Sequence, residues 1–232
     1  FTDRRQRQMC IRDRFNTYSF FSLYANIDKF KFTGSNFNIQ KLDKLDKWIL
    51  SELNTLILNC SKNFDAFEPT KVCRDIQFFV VNKLSNWYVR LSRRKFWKGE
   101  YNESKISAYQ TLYECLEKIA IISSPVIPFY SNRLFNDLNK ISKRHKIESV
   151  HLASFPNASL EIINKKLENQ MSIAQEITSM ILSLRKQEKI RVRQPLPRAL
   201  IPVNDKLTYE NIIEVKTLIE EETNIKELKV VD

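Results

Sequence analysis

Between Leu42 and Leu138 apolar residues return at steps of three and four, interrupted only where proline or a polar cluster marks a break. That spacing puts them on one face of successive α-helices. From Leu42 to about Phe64 the face is Leu45, Trp48/Ile49, Leu53, Leu56 and Cys60. Glu68-Pro69-Thr70 opens the next helix, because the missing proline N–H would have no intrahelical partner in the first turn. Its stripe runs Val72, Ile76, Val80, Leu84, Trp87 and Leu91, and Lys98-Gly99-Glu100 ends it, glycine suiting the left-handed C-terminal position. Residues 103–122 carry Ile106, Tyr109, Leu112/Tyr113, Leu116 and Ile119/Ala120 on a further face. Ser123–Pro128 interrupts, and helix resumes to about Leu138. Upstream, Ile11–Phe30 reads as an aromatic-rich buried helix and residues 31–41 as a polar connector. Only two glycines occur in the chain, which argues against a turn-rich sheet fold and excludes a Gly-rich phosphate loop. An all-helical bundle with short connections is expected.

The pattern changes after Asn139. KISKRHKIE reads as a basic loop and SVHLASFP as extended, followed by a helix with Met171, Ala174, Ile177, Ile181 and Leu184 on one face. Ile190–Arg193 and Arg198–Val203 read as strands, Thr208–Glu222 as a helix and Ile225–Val231 as a closing strand. The expected fold class is therefore mainly α, a helical bundle followed by a small, truncated α/β module. The expected boundaries are an atypical segment over 1–14, the bundle over 15–139, a connector over 140–170 and the incomplete module over 171–232.

The balance of 38 Lys+Arg against 27 Asp+Glu gives +11, a bias that suits a polyanionic partner. No apolar run is long enough to cross a bilayer and no secretory leader is visible, so no membrane partner is expected. Cys10, Cys60, Cys73 and Cys115 are scattered without a CxxC pair, which gives no metal site and suggests reduced thiols in a cytoplasmic protein. His145 and His151 lack a nucleophile partner, and Asp43/Asp46 read as helix-opening charges, so no residue is assigned a catalytic role.

One stretch of the third helix points to a partner. LSNWYVRLSRRKFW, Leu84–Trp97, interleaves Arg90, Arg93, Arg94 and Lys95 with Trp87, Tyr88, Phe96 and Trp97. Guanidinium groups beside flat aromatic faces hold phosphates and stack unpaired bases. At helical spacing Arg90, Arg94 and Trp97 flank the core stripe, with Arg93 further round towards solvent. Arg93 and Arg94 are favoured for RNA contact, and Arg90 is undecided because it borders the core. Plain packing is the stronger reading of Trp87, whereas Trp97 is open to stacking. The basic loop Lys140–Lys146 and the pair Arg191/Arg193 have phosphate tracking as one reading, against a solvated loop and edge protection. A competing function is a helical protein-interaction scaffold with Trp97 and Tyr101 as docking anchors; another is an RNA-binding module without sequence preference.

Several strings together narrow this. NTYSFFSLYANID (Asn16–Asp28), LDKWILSELNTLI (Leu45–Ile57), FEPTKVCRDIQFFVVNKLSNWYVRLSRRKFW (Phe67–Trp97), SAYQTLYECL (Ser107–Leu116) and SPVIPFYSNRLF (Ser124–Phe135) resemble the anticodon-binding helical domain of isoleucyl-tRNA synthetases, in the form shared by eukaryotes and some bacteria. SVHLASFP and SLRKQEKIRVRQPL (Ser183–Leu196) resemble the segment after that bundle. The resemblance implies a class I synthetase fragment whose bundle grips the anticodon stem-loop of tRNA(Ile), with an upstream catalytic domain in the same polypeptide. It implies tRNA contacts at Arg93, Arg94 and Trp97, with Lys95 and Asn16 as lesser candidates. ATP and magnesium are implied for the full-length isoleucine–tRNA ligase. HIGH- and KMSKS-type signatures are absent, so this chain holds no cofactor and is expected to be inactive alone. Residues 4–14 (RRQRQMCIRDR) do not resemble the family's residues before NTYSFF and are expected to be foreign. Resequencing the source locus is expected to show other codons there; the same codons inside an intact long gene would reject this.

Overall fold

A computed structural model describes residues 2–32, 34, 42–98 and 100–231, with residues 2–14 as helix backbone only. The expected stop at Gly99, most of the 31–41 connector and the side chain of Cys10 lie outside the described residues. The chain divides into two compact units, Phe1–Ile163 and Asn164–Asp232, so the expected connector 140–170 is shared between them.

The first unit is a bundle of α1 (Thr2–Ile27), α2 (Lys44–Asp65), a long helix in three parts, α5 (Glu103–Ser123) and α6 (Pro128–Ser142). The long helix comprises α3 (Pro69–Phe78), a π-helical stretch (Phe79–Val89) and α4 (Arg90–Lys98). Its core face differs from the expected stripe. Val72, Ile76, Val80, Leu84, Tyr88, Ser92 and Phe96 are none of them more than 1% exposed. Every fourth residue is thus buried. In an α-helix such a stripe rotates by about 40° per step; the wider i→i+5 turns of the π stretch counter that drift. Trp87 stays buried, but Leu91 is only half-buried, and the basic residues turn with the stripe.

Two carboxylates fasten the start of α2 to the long helix. Asp43 caps α2 by accepting from the Asp46 N–H at 2.8 Å, and it also pairs with the Lys95 ammonium. Asp46 lies in the first turn of α2, as the sequence suggests, but it does not face solvent. It is buried, accepts from the Tyr88 hydroxyl at 2.5 Å, and its second oxygen has no partner among the described residues. Burial pushes its pKa up to about 6, with the Tyr88 hydrogen bond opposing.

α1 is buried on one face only, through Thr17 and Phe21, while Phe15, Leu23 and Ile27 face outwards. Beyond its end at Ile27, Lys29 takes the left-handed region at φ 53°. There the Phe30 N–H reaches back to the Ala25 carbonyl at 2.8 Å, a Schellman-type stop. Phe30 then stacks on Tyr109 at 4.9 Å. Below it Asp28 accepts from Tyr109 at 2.5 Å and pairs with Lys105 at 2.6 Å. At the far side, Asn54 of α2 accepts from the Ser159 N–H at 2.8 Å and fixes the chain beyond the bundle. Within SVHLASFP, Val150–Leu152 is a 3₁₀ turn rather than extended chain.

The second unit holds α7 (Lys165–Gln187), β1 (Ala199–Pro202), α8 (Lys206–Thr223) and β2 (Leu228–Val231). The strands pair in parallel, Ala199 opposite Leu228, with α8 as crossover. α7 packs on α8 through Met171, Ala174 and Ile177 against Ile212, Val215 and Ile219. Leu184, expected on that face, is 60% exposed, and Arg185 is buried in its place. The Arg185 guanidinium donates to the carbonyls of Arg191, Gln194 and Asn224 at 3.2, 3.0 and 3.0 Å. Those bonds bend Ile190–Arg193 into a turn, so the strand expected there does not form.

The Asp46 carboxyl gives a sign to stability against pH. Its folded pKa lies above the unfolded 3.8, so the folded state holds the extra proton between about pH 4 and 6 and stability falls as pH rises through that window. Relative to Asp46→Asn, the native chain is expected to lose roughly 2–3 kcal/mol between pH 4 and pH 7. Urea titrations at both values measure it; parallel pH profiles for the two proteins would refute it.

Candidate nucleic-acid interface

The outward side of α4 carries the basic and aromatic residues that the buried stripe does not use. Ser92 and Phe96 face the core, and Phe96 is held edge-on by Phe20 of α1 at 5.2 Å and by Tyr109 at 4.9 Å. Fixing positions 92 and 96 leaves Arg93, Arg94, Trp97 and Lys98 exposed. Trp97 is 57% exposed, and the Lys98 ammonium lies over its ring at 5.2 Å. Neither Arg93 nor Arg94 has an ion-pair partner among the described residues. An arginine without a carboxylate, beside an open indole, is equipped for phosphate and for a base face.

Arg93 also enters a groove of about 280 Å³ between α1 and the long helix, where Asn16 and Thr17 face Ser85, Asn86 and Arg90. This alters the expected arrangement. The fourfold stripe turns Arg93 towards Arg90 and Asn16, whereas the sequence spacing put Arg94 and Trp97 on one flank with Arg90. The Arg90 guanidinium lies over the Trp87 ring at 5.4 Å, so it is held against the bundle. Ser85 and Asn86 were missed by sequence reasoning, which looked for cations and rings; their polar character opposite the core stripe was the available signal.

Lys95 stands apart from the other candidates. It is half-buried and paired with Asp43, and burial lowers its pKa. The basic loop is likewise partly spent on the fold. Arg144 bridges Glu114 and Glu117, both at 2.7 Å, and His145 meets Glu117 at 3.1 Å. Glu117 also accepts from Tyr113 at 3.2 Å, so this buried carboxylate engages both Arg144 and His145 of the loop. Arg193 is exposed and Arg191 supplies its carbonyl to Arg185.

Cys60 is buried and its thiol is pushed up to about 12 by that burial, which suppresses the nucleophilic thiolate. Among the described residues no three His, Cys, Asp or Glu side chains gather as a metal ion requires. No described helix is long and apolar enough to cross a membrane.

Comparison with known proteins accords with this geometry. The family model described as the anticodon-binding domain of tRNA ligase matches residues 46–200. An isoleucine–tRNA ligase of Cytophaga hutchinsonii is 48% identical over 217 residues, which are 94% of this chain and 20% of that protein. One from Bacteroides fragilis is 48% identical over 218 residues, 94% of this chain and 19% of that protein. One from Dehalococcoides mccartyi is 39% identical over 213 residues, 92% of this chain and 21% of that protein. The chain thus spans about a fifth of the length of these relatives.

Lys95→Ala is expected to lower bundle stability by roughly 0.5–1 kcal/mol, the range of a partly exposed ion pair. Chemical unfolding of the variant beside Asp43→Ala and the double variant would measure the coupling; strictly additive effects would remove the pair as a fastening.

Proposed function

The chain belongs to the family of tRNA-ligase anticodon-binding domains, and on that premise we propose that it is the anticodon-recognising part of an isoleucine–tRNA ligase. Its partner in this reading is the anticodon stem-loop of tRNA(Ile). A catalytic domain elsewhere in the same polypeptide would join isoleucine to that tRNA with ATP and magnesium, in the cytoplasm. This chain contributes selection, because the anticodon lies far from the amino-acid end of the tRNA and needs its own reader.

The observation that carries the proposal is the outward side of α4, where Arg93 and Arg94 have no ion-pair partner among the described residues and Trp97 is open. In a loop opened for reading, bases leave their stack and present their edges. Trp97 offers a face to one such base. Arg94 and Arg93 meet the backbone, and the groove beside Arg93 offers the Asn16 and Asn86 amides to a base edge. Amides can donate and accept at once, which suits reading rather than mere attraction. Lys95 acts in this scheme by holding α4 in place through Asp43.

Replacing Arg93 and Arg94 together with Ala is expected to weaken binding of tRNA(Ile) by 10-fold or more while leaving the melting temperature unchanged. For every phosphate no longer held, the salt dependence should flatten by about 0.7–0.9 log units per tenfold rise in salt. Filter binding at two ionic strengths, with a second tRNA as control, tests this. Equal affinity for both tRNAs would indicate an RNA module without preference, and unchanged affinity in the folded variant would remove both arginines from the interface.

A further inference from the structure

The opposite side of α1 lines a second cavity, of about 330 Å³, bordered also by Phe30 and Phe32 after α1, by Tyr113 of α5 and by α6. Its floor is apolar, formed by Phe21, Phe30 and Leu138. Tyr18 stands in its wall with neither a hydrogen-bond partner nor a ring partner among the described residues. Asn26 is exposed at the rim. Two cations stand at the mouth, both tied to the same carboxylate: Arg133 Nε donates to Asp137 at 2.8 Å, and Lys140 Nζ lies 3.5 Å from its other oxygen. Asp137 orients them without neutralising the pair. The terminal nitrogens of Arg133 have no partner among the described residues, and its side chain is 78% exposed.

We propose that this cavity is a nucleotide-binding site, with a base ring against Tyr18 and its phosphate on Arg133 and Lys140. The volume lies at the small end of ligand sites, which suits one base and excludes a run of them. A purely apolar ligand would leave the cationic mouth and the Asn26 amide without a role. A free inorganic anion would leave the aromatic floor without one. A nucleoside phosphate uses all of these, since arginine presents a fork to phosphate oxygens while lysine acts as a point charge. The guanidinium keeps its Nε bond to Asp137 and offers the other nitrogens outwards, so the anion binds without breaking the existing pair. Neither the α4 arginines nor Trp97 contributes, so α1 separates two sites with different constructions.

The same chemistry has two sources, an unpaired residue of the bound RNA or a free nucleotide; the first rests on the tRNA-binding reading above. The test takes the whole 232-residue chain. It is irradiated with a tRNA(Ile) transcript carrying 4-thiouridine for uridine, and cross-linked peptides are mapped by mass spectrometry. In parallel it is dialysed against labelled AMP and UMP. Cross-links to Tyr18 or Phe30, lost in Arg133→Glu together with a 3- to 10-fold fall in tRNA affinity, are the expected result and assign the RNA source. Saturable AMP or UMP binding that Arg133→Glu and Lys140→Glu abolish, without those cross-links, supports the site and assigns the free source. Cross-links confined to α4 with no mononucleotide bound overturn this inference and leave the anticodon reading intact. Cross-links at the cavity alone would do the reverse.

Discussion

A helix that buries every fourth residue over seven positions cannot remain a regular α-helix and keep one face to its neighbours. The long helix resolves this by widening through Phe79–Val89, and the rest of the bundle is arranged around the result. Tyr88 arrives where it can meet Asp46, and Phe96 where Phe20 and Tyr109 close on it. The same rotation decides which basic side chains leave the bundle. With Ser92 and Phe96 committed to the core, Arg94 and Trp97 turn outwards and Arg93 turns to the groove beside α1. The set of side chains presented by α4 is therefore a by-product of the packing register, and a helix with ordinary turns throughout would present a different set.

Buried charge in this unit is managed by concentrating it. Glu117 serves Arg144, His145 and Tyr113, and Asp28 serves Lys105 and Tyr109. Both draw aromatic hydroxyls and cations into the same small volume, Glu117 fully buried and Asp28 partly exposed. Asp46 is the exception, with one oxygen unpartnered among the described residues, and it responds by favouring its protonated form. These arrangements also thin out the positive surface. Arg144 and Lys95 both count towards a basic protein in composition, yet each is engaged with the fold.

Much of the bundle was legible because apolar spacing survives in the linear order of residues. The faces of α2 and α5, the proline start of α3 and the break at Ser123–Pro128 all follow from local rules. The π stretch did not announce itself, since Val80, Leu84 and Tyr88 fit either a drifting α stripe or a widened turn until the partners of Asp46 and Phe96 are known. Trp97, Arg93 and Arg94 could be singled out as exposed candidates, but the joining of Arg93 with Asn16 and Arg90 depends on α1, which lies far upstream in sequence. The expected strand at Ile190–Arg193 failed for a related reason. Alternation described its side chains well enough, while the deciding contact came from a guanidinium to its backbone. The second cavity was invisible for the same cause: Tyr18, Arg133 and Lys140 form no motif along the chain.

Arg185 imposes a schedule on synthesis. The carbonyl of Asn224 that it binds lies 39 residues further along, so a growing chain has only the nearby Arg191 and Gln194 carbonyls for that guanidinium, and α7 stays incompletely docked, until the crossover helix has been made. The parallel strands meet no earlier, because β2 comes after α8. The bundle, whose helices largely pack on sequence neighbours, can consolidate during translation. The second unit closes late and all together.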